Sequence, residues 1–193
     1  MSVFVKIYDE PPVSEREILR YAGVRSGGCD LNGLLNSALD EARPVLSYKV
    51  ACSEVMISVS GDEVDFGLFK AKSKSLAKNL SGCGVAIIFA ATVGIGLDRL
   101  IMKYGRTAPS RALMMQAIGA ERIEALCGVF CREISGGRIL RPRFSPGYAD
   151  LSLDTQTDIF KLLTPETKIG LSLNTSMLMS PTKSVTAFIG VEK

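Results

Sequence analysis

Residues 45–69 read VLSYKVACSEVMISVSGDEVDFGLF, and this stretch decides the fold class. It is rich in β-branched residues and alternates apolar with polar side chains, which is typical of strands. Gly61 and Asp62 predict a hairpin turn within it. Farther along, Cys83 to Ala91 is apolar throughout, as expected of a central strand that is buried on both faces. The middle of the chain is therefore predicted to form a β-sheet.

Helical patterns flank this β-rich middle on both sides. Pro109 can occupy the first turn of a long helix that runs to about Glu133. The other predicted helices carry cap or stop signals: Ser14 to Gly23, with Ser14 and Glu17 as a capping box; Leu31 to Ala42, capped by Asp30; Lys72 to Leu80, stopped at Gly82; a helix after Gly96; and Thr155 to Leu163, capped by Asp154. The segments SVFVKIY and SVTAFIGV are predicted as the first and last strands.

Strands and helices do not alternate one by one along this chain, so parallel βαβ units are not expected. The sequence predicts an α+β fold in which helices pack against a twisted, largely antiparallel sheet. We expect a single domain over residues 1–193, with a helical N-terminal part at about 10–44 and an α/β body at about 45–193.

The long helix has a predicted apolar side and a predicted polar side. The residues expected to point inward are Leu113, Met114, Ala117, Ile118, Ala125, Leu126, Val129 and Phe130. Gln116, Glu121, Arg122 and Glu124 are expected on the surface. Gly119 and Gly128 lower the helix propensity, which predicts close packing against another backbone.

Composition excludes several classes of function. The net charge is only +3, so neither a nucleic-acid partner nor a membrane partner is expected. The basic run Lys70, Lys72, Lys74 and Lys78 is interpreted as a solvated helix start, with docking of an acidic partner as the alternative. The apolar stretch GVAIIFAATVGIG is too short to span a bilayer. The first residues do not have the pattern of a signal peptide.

The chain contains no histidine, which removes the most frequent general base and metal ligand. Its five cysteines lack a Cys-x-x-Cys pair, so no metal site and no disulfide framework are predicted. Cys127 and Cys131 are expected to be buried thiols. This cysteine usage favours a cytoplasmic protein.

A glycine pair at Gly94 and Gly96 suggests a dinucleotide-binding loop at first sight. The third position of that fingerprint is Arg99, where close packing of the helix against the strand requires Gly or Ala. The sequence therefore argues against a dinucleotide site.

The residues from Arg143 to Tyr148 form a second turn with polar and aromatic side chains. Pro146 fixes its own backbone and favours an extended Ser145, while Gly147 allows the main chain to approach a ligand. Arg143 offers a guanidinium suited to a carboxylate. From chemistry alone the turn is either a small-molecule site or an ordinary solvated Pro-Gly turn.

Three stretches occur here in a familiar order: FAATVGIGLDRLIMKYGRTAPSRALMMQAIGAERIEAL, RPRFSPGYADLSLDTQTDIFKLL and IGLSLNTSMLMSPTKSVTAFIGV. Together they resemble the activation domain of cobalamin-dependent methionine synthase. The stand-alone form of that domain is the most similar, and the opening SEREILRYAGVR also resembles it. The likeness covers most of the chain from about Glu15, and the Arg143–Tyr148 turn is its most specific part.

This resemblance implies a binding module rather than a complete enzyme. In the family, the domain holds S-adenosylmethionine over the corrinoid after cobalt has been oxidised to cob(II)alamin, and an electron from a flavodoxin-type reductant allows methyl transfer. The implied partner is a separate methionine synthase subunit that carries the cobalamin. No general base is needed, because the domain only positions the methyl group.

The resemblance also implies roles for individual residues. Arg143 would bind the ligand carboxylate, and Tyr148 would border the ligand through its ring and hydroxyl. Ser145 and Gly147 would offer main-chain groups to the adenosine half. Gln116 stands where the methionine synthase form has an acidic residue close to the ligand amino group.

Two departures from the family leave alternatives open. The chain has no tryptophan, hence no Asp-Trp-Thr segment, and no tyrosine follows Tyr148. One alternative is an interaction module of the same fold that docks on a corrinoid protein without binding S-adenosylmethionine. Another is an independent methyltransferase acting on a small acceptor, which the absence of a glycine loop and of a base disfavours.

Overall fold

The computed structural model describes residues 2–24 and 31–192 of the chain. Within them the strands are β1 to β9 in chain order: Phe4–Tyr8, Tyr48–Met56, Ser58–Ser60, Glu63–Asp65, Lys70–Lys72, Cys83–Thr92, Ser172–Leu173, Met179–Ser180 and Ser184–Glu192. The helices are α1 to α7: Glu15–Tyr21, Asn32–Ala42, Lys74–Asn79, Gly96–Gly105, Pro109–Ser135, Thr155–Leu163 and Pro165–Ile169. A short 3-10 turn covers Arg43–Val45. The expected Asp30 cap lies outside the described residues.

The main sheet has four strands in the order β1-β2-β6-β9, and every neighbouring pair is antiparallel. Strand β6 lies between β2 and β9, so the central position predicted for Cys83 to Ala91 is confirmed. A second sheet contains β3, β4 and β5, and its first hairpin turns at Gly61 and Asp62 as predicted. Strands β7 and β8 form a small hairpin of their own. The predicted α+β fold with an antiparallel sheet is confirmed.

Both faces of the main sheet are covered. Helix α5 packs on one face, where Ile123, Leu126 and Phe130 meet Phe89 and Ile189. Helices α3 and α6, together with the second sheet, cover the other face around Phe188. The N-terminal half of α5 forms a third core with α1, α2 and α4. Helix α5 therefore joins the N-terminal helices to the sheet, and apolar burial along both of its halves explains its length.

Helix α3 differs from its prediction in where it starts, and helix α6 differs in how its N-terminus is capped. Helix α3 begins at Lys74 rather than Lys72, because the Ser73 hydroxyl accepts the Leu76 amide at 3.0 Å and caps it. Lys70 and Lys72 therefore lie on β5, not in a helix. Helix α6 has the predicted bounds, but Asp154 makes no capping hydrogen bond and its side chain bonds Ser152 instead.

The capping box at α1 is only half formed. The Ser14 hydroxyl accepts the Glu17 amide at 3.4 Å, as predicted. The Ser14 amide, however, donates to Glu121 on α5 at 3.0 Å, while Glu17 pairs with Arg20. A distant carboxylate thus replaces the local one that the pattern predicts.

The polar side of α5 was predicted wrongly at two positions. Glu121 is buried and Arg122 is fully buried, and the two side chains pair at 2.6 Å. Arg122 also donates to the carbonyl oxygens of Pro11 and Pro12 at 2.6 and 2.7 Å. These partners allow the charge to be buried, and they belong to the segment that enters α1. Leu113, predicted to point inward, is 54% exposed.

The glycines of α5 also differ from expectation. A side chain at Gly119 would meet Leu97 and Lys183 side-chain atoms within 3 Å, so packing is close there, but against side chains rather than backbone. At Gly128 the nearest atom is 3.5 Å away, on Arg132 of the same helix, and close packing is absent at this described position.

None of the helices in 2–24 and 31–192 is long and apolar enough to cross a membrane. The same residues contain no cluster of three or more acidic or cysteine side chains that could hold a metal ion.

Candidate functional site

The segment after α5 runs along the outer edge of β9 and positions the candidate site. The Arg141 amide donates to Gly190 at 2.8 Å, and Phe144 and Phe188 exchange two hydrogen bonds of 2.9 Å. Because side chains alternate along this extended segment, Phe144 enters the core on one face and Arg143 lies towards α5 on the other.

A tight turn follows at Ser145 to Tyr148. The Tyr148 amide donates to the Ser145 carbonyl at 3.1 Å, and the Gly147 amide donates to Leu151 at 2.9 Å. Gly147 has φ +82°, and a side chain there would lie 3.1 Å from Leu153. The backbone conformation therefore favours glycine, and a side chain there would also require Leu153 to move by a few tenths of an ångström.

Asp150 anchors this turn to helix α3. Its carboxylate accepts the Ser73 hydroxyl at 2.6 Å and the amides of Lys74 and Ser75 at 2.7 and 3.2 Å. These hydrogen bonds, above all the one from Ser73, hold the pKa of Asp150 well below its usual range. The turn is thus attached to the rest of the protein two residues after Tyr148.

A cleft of about 520 Å³ opens between α5, the start of β9 and the turn. It is lined by Glu124, Pro142, Arg143, Ser145, Tyr148 and Val185. Inside it, Arg143 Nη2 lies 2.6 Å from Glu124 Oε2. The cleft therefore presents a cation and an anion side by side within a volume that suits a small molecule.

The electrostatic surroundings keep Arg143 charged. Burial disfavours the charged form of the guanidinium. The hydrogen bond to Glu124, together with the electrostatic influence of Cys127 and Glu124, outweighs this effect and raises the pKa of Arg143 above its usual value. Beneath it, burial raises the pKa of the Cys127 thiol to about 12. Cys127 is fully buried, and a neutral, buried thiol does not act as a nucleophile.

Tyr148 is the aromatic wall of the cleft. Its ring is 66% exposed and meets Phe144 edge-on, with the ring centroids 5.4 Å apart. The edge contact holds the ring in place while one surface stays open. Such a ring can cover a planar ligand group.

The structure brings together most of the residues named from the sequence. Arg143, Ser145 and Tyr148 line one cleft, and Gly147 shapes the turn between them. Gln116 is exposed on α5 but does not line the cleft, since it lies eight residues before Glu124, roughly 12 Å along the helix axis.

Three lining residues, Glu124, Pro142 and Val185, were not predicted as site residues. Glu124 was assigned to the polar surface of α5, and Val185 only to the last strand. An unpaired arginine in a turn does suggest a nearby carboxylate. The sequence offers several acidic residues on α5, however, and only the helix orientation selects Glu124.

A second cavity of about 430 Å³ lies between α6, α7 and β7. Its walls are Thr157, Phe160, Lys161, Thr164, Pro165, Glu166, Thr167 and Leu173. Its lining contains none of the residues of the Arg143 turn, and it lacks a close pair of opposite charges. The cleft at Arg143 is therefore the better candidate site.

Comparison with known proteins identifies the fold of this chain. No protein-family model and no curated protein matches the chain. Among solved structures, the crystal structure of the MetH reactivation domain bound to AdoHcy matches with a TM-score of 0.73. The match has 15% sequence identity and covers 98% of this chain and 78% of that chain. The resemblance expected from the sequence is confirmed at the level of the fold, which is that of the MetH reactivation domain.

Proposed function

We propose that this protein binds S-adenosylmethionine and supports the reductive methylation of cob(II)alamin on a separate cobalamin-dependent methionine synthase. The observation that carries the proposal is the ion pair of Arg143 and Glu124 inside the cleft of a reactivation-domain fold. The solved MetH reactivation domain that matches this fold contains AdoHcy, the demethylated form of the proposed ligand.

The residues of the cleft fit the charged half of this ligand. S-adenosylmethionine carries an amino-acid group with one carboxylate and one ammonium. Arg143 can donate two parallel hydrogen bonds to the carboxylate, and Glu124 can accept from the ammonium. Glu124 would then supply the negative charge that the family resemblance assigned to the Gln116 position.

The remaining wall of the cleft fits the adenosine half. The exposed ring of Tyr148 can stack on the adenine, and Ser145 and Gly147 offer main-chain groups beside it. Val185 adds an apolar contact at the start of β9. The cleft volume lies within the range of about 300–1,000 Å³ that is common for small-molecule sites.

In this proposal the protein orients the ligand and performs no proton transfer. When a separate, flavodoxin-type reductant has supplied one electron to the partner's cob(II)alamin, S-adenosylmethionine would give its methyl group to the corrinoid and leave as S-adenosylhomocysteine. Arg143, Glu124 and Tyr148 hold the amino-acid and adenine groups so that the sulfonium methyl points out of the cleft. The histidine-free sequence is compatible with such a role.

A reactivation assay tests this function. A cob(II)alamin-loaded methionine synthase that lacks its own activation domain would be mixed with the protein, S-adenosylmethionine and a one-electron reductant. We expect return of methyl transfer activity with the wild type and a strong loss with Arg143→Ala. Equal activity with and without the protein would contradict the proposal.

The alternative is an interaction module of the same fold without ligand binding. It is favoured by the position of Gln116 outside the cleft and by the engagement of Arg143 with Glu124. A protein that binds the corrinoid partner but neither S-adenosyl compound would support it.

A further inference from the structure

The two edges of the main sheet differ in how they are covered. Strand β9 forms one edge, and residues 139–144 run along it through backbone hydrogen bonds to Phe188, Gly190 and Glu192. Strand β1 forms the other edge and pairs with β2. Among residues 2–24 and 31–192, no other segment forms a backbone hydrogen bond to β1. The outer side of β1 therefore offers amide and carbonyl groups to an added strand.

The side chains of β1 leave this edge without its usual protection. Phe4 is 58%, Val5 43% and Ile7 73% exposed. Edge strands that stay unpaired commonly carry an outward charge, a proline or a bulge. Strand β1 has no proline and pairs with β2 in unbroken register. Its one charged residue, Lys6, forms an ion pair with Glu133 on α5, so this charge is compensated.

The sequence of β1 is complementary to itself in an antiparallel pair. Opposite residues of such a pair place their side chains on the same side of the sheet. When Val5 lies opposite Val5 of a second copy, Val3 lies opposite Ile7, so one side is apolar throughout. On the other side, the Phe4 ring lies beside the apolar stem of Lys6. A two-fold axis at Lys6 would instead place two ammonium groups opposite each other, which is unfavourable.

We propose that two copies of this protein associate through β1, in an antiparallel pair with its two-fold axis at Val5. The two main sheets, of four strands each, then form one continuous sheet of eight strands. The interface is isologous and closes at the dimer, because each β1 edge is used once. A single strand pair buries less than the roughly 1,200–2,000 Å² of a stable complex, so the dimer dissociates in the micromolar range.

The association leaves the candidate ligand site open. Strands β2 and β6 separate β1 from β9, and the cleft with Arg143 and Val185 lies at the β9 edge. The two clefts are therefore at opposite ends of the eight-stranded sheet. Dimer formation is independent of the proposed function, and either can fail without the other.

Sedimentation equilibrium of the whole chain, from micromolar to millimolar concentration, tests the association. We expect the wild type to change from monomer to dimer over this range. Ile7→Lys adds an outward charge to the edge and should weaken the association at least tenfold. Met102→Lys is the matched control, because Met102 on α4 is as exposed as Ile7, and the association should be unchanged. Equal thermal midpoints would show that both variants are folded.

Cysteine cross-linking tests the register. In the proposed pair, the two Cα atoms of residue 5 are about 4.5–5.5 Å apart, which a disulfide can span. Those of residue 7 are separated by four residues along the strands, roughly 14 Å, which is too far. Mild oxidation should therefore link two copies of Val5→Cys, but not two copies of Ile7→Cys or of the wild type.

Three results would overturn the proposal. The first is a wild type that stays monomeric up to millimolar concentration. The second is a dimer that persists unchanged in Ile7→Lys, because another surface would then form it. The third is cross-linking of Ile7→Cys in place of Val5→Cys, which would exclude the axis at Val5.

Discussion

Arg143 and Glu124 face each other in the cleft with 2.6 Å between Nη2 and Oε2, although 19 residues separate them in the chain. Helix α5 supplies the anion, and the segment along β9 supplies the cation. The two groups are thus held by different elements, each of which is fixed by the main sheet. This arrangement is suited to a ligand that carries both charges.

Replacing Arg143 with alanine removes one side of that arrangement. We expect S-adenosylmethionine binding to weaken by about 1.5–3 kcal/mol, the usual contribution of hydrogen bonds to charged groups. Calorimetry on the folded variant measures this change in the free energy of binding. Arg138→Ala is the control, because Arg138 pairs with Glu54 at 2.9 Å away from the cleft and should leave binding unchanged. Unaltered affinity in Arg143→Ala would show that the turn is not the ligand site.

The buried pair of Glu121 and Arg122 should be decisive for stability. Glu121→Gln removes the carboxylate that pairs with the fully buried Arg122 at 2.6 Å and leaves the more distant Glu10, at 3.8 Å, as its acidic partner. We expect the free energy of unfolding to fall by about 3–5 kcal/mol. Urea denaturation gives this value. Glu54 forms an exposed ion pair with Arg138, and Glu54→Gln should change the free energy of unfolding by less than about 1 kcal/mol. Similar losses in the two variants would contradict the difference in burial.

A pH dependence follows from Glu41 on α2. Hydrogen bonds from Tyr104 and Arg111, together with Lys103, lower the pKa of Glu41 to about 2. Since the pKa is about 4.3 in the unfolded chain, the carboxylate contributes stability above that pH and loses the contribution as pH falls towards 2. The stability difference between wild type and Glu41→Gln should shrink over this window. A difference that stays constant from pH 7 to pH 2 would exclude this role.

Asp150 should control the order of the ligand turn. Asp150→Asn removes the charge that caps α3, and we expect faster hydrogen exchange at the amides of Gly147 and Tyr148. Exchange measured by mass spectrometry or NMR checks this. Asp158→Asn on α6, whose weak ion pair with Lys161 spans 3.8 Å, is the comparison variant. If exchange in the turn were the same in both variants, the turn would not depend on Asp150.

The sequence predicted the elements with strong periodic signals. The apolar run at Cys83 to Ala91 identified the central strand, and Pro109 identified the start of the long helix. The capping box predicted at α1 formed only in half, because a distant partner intervenes. Glu121 replaces Glu17 as the acceptor of the Ser14 amide, which no local pattern contains.

The candidate site could be predicted only in its local part. Arg143, Ser145, Gly147 and Tyr148 lie within one stretch, residues 143–148, so a motif identifies them together. Their partners on α5 and β9 depend on how the helix is rotated over the sheet, and a single sequence does not contain that rotation. Glu124 and Arg122 accordingly have the same polar character in the sequence, yet one lines the cleft and the other is buried.

Isothermal titration of the isolated protein with S-adenosylmethionine, alongside S-adenosylhomocysteine, tests the central claim most directly. We expect saturable binding of both compounds, lost or strongly weakened in Arg143→Ala. Absence of binding up to millimolar ligand, both alone and with the corrinoid protein present, would contradict it and favour the interaction module.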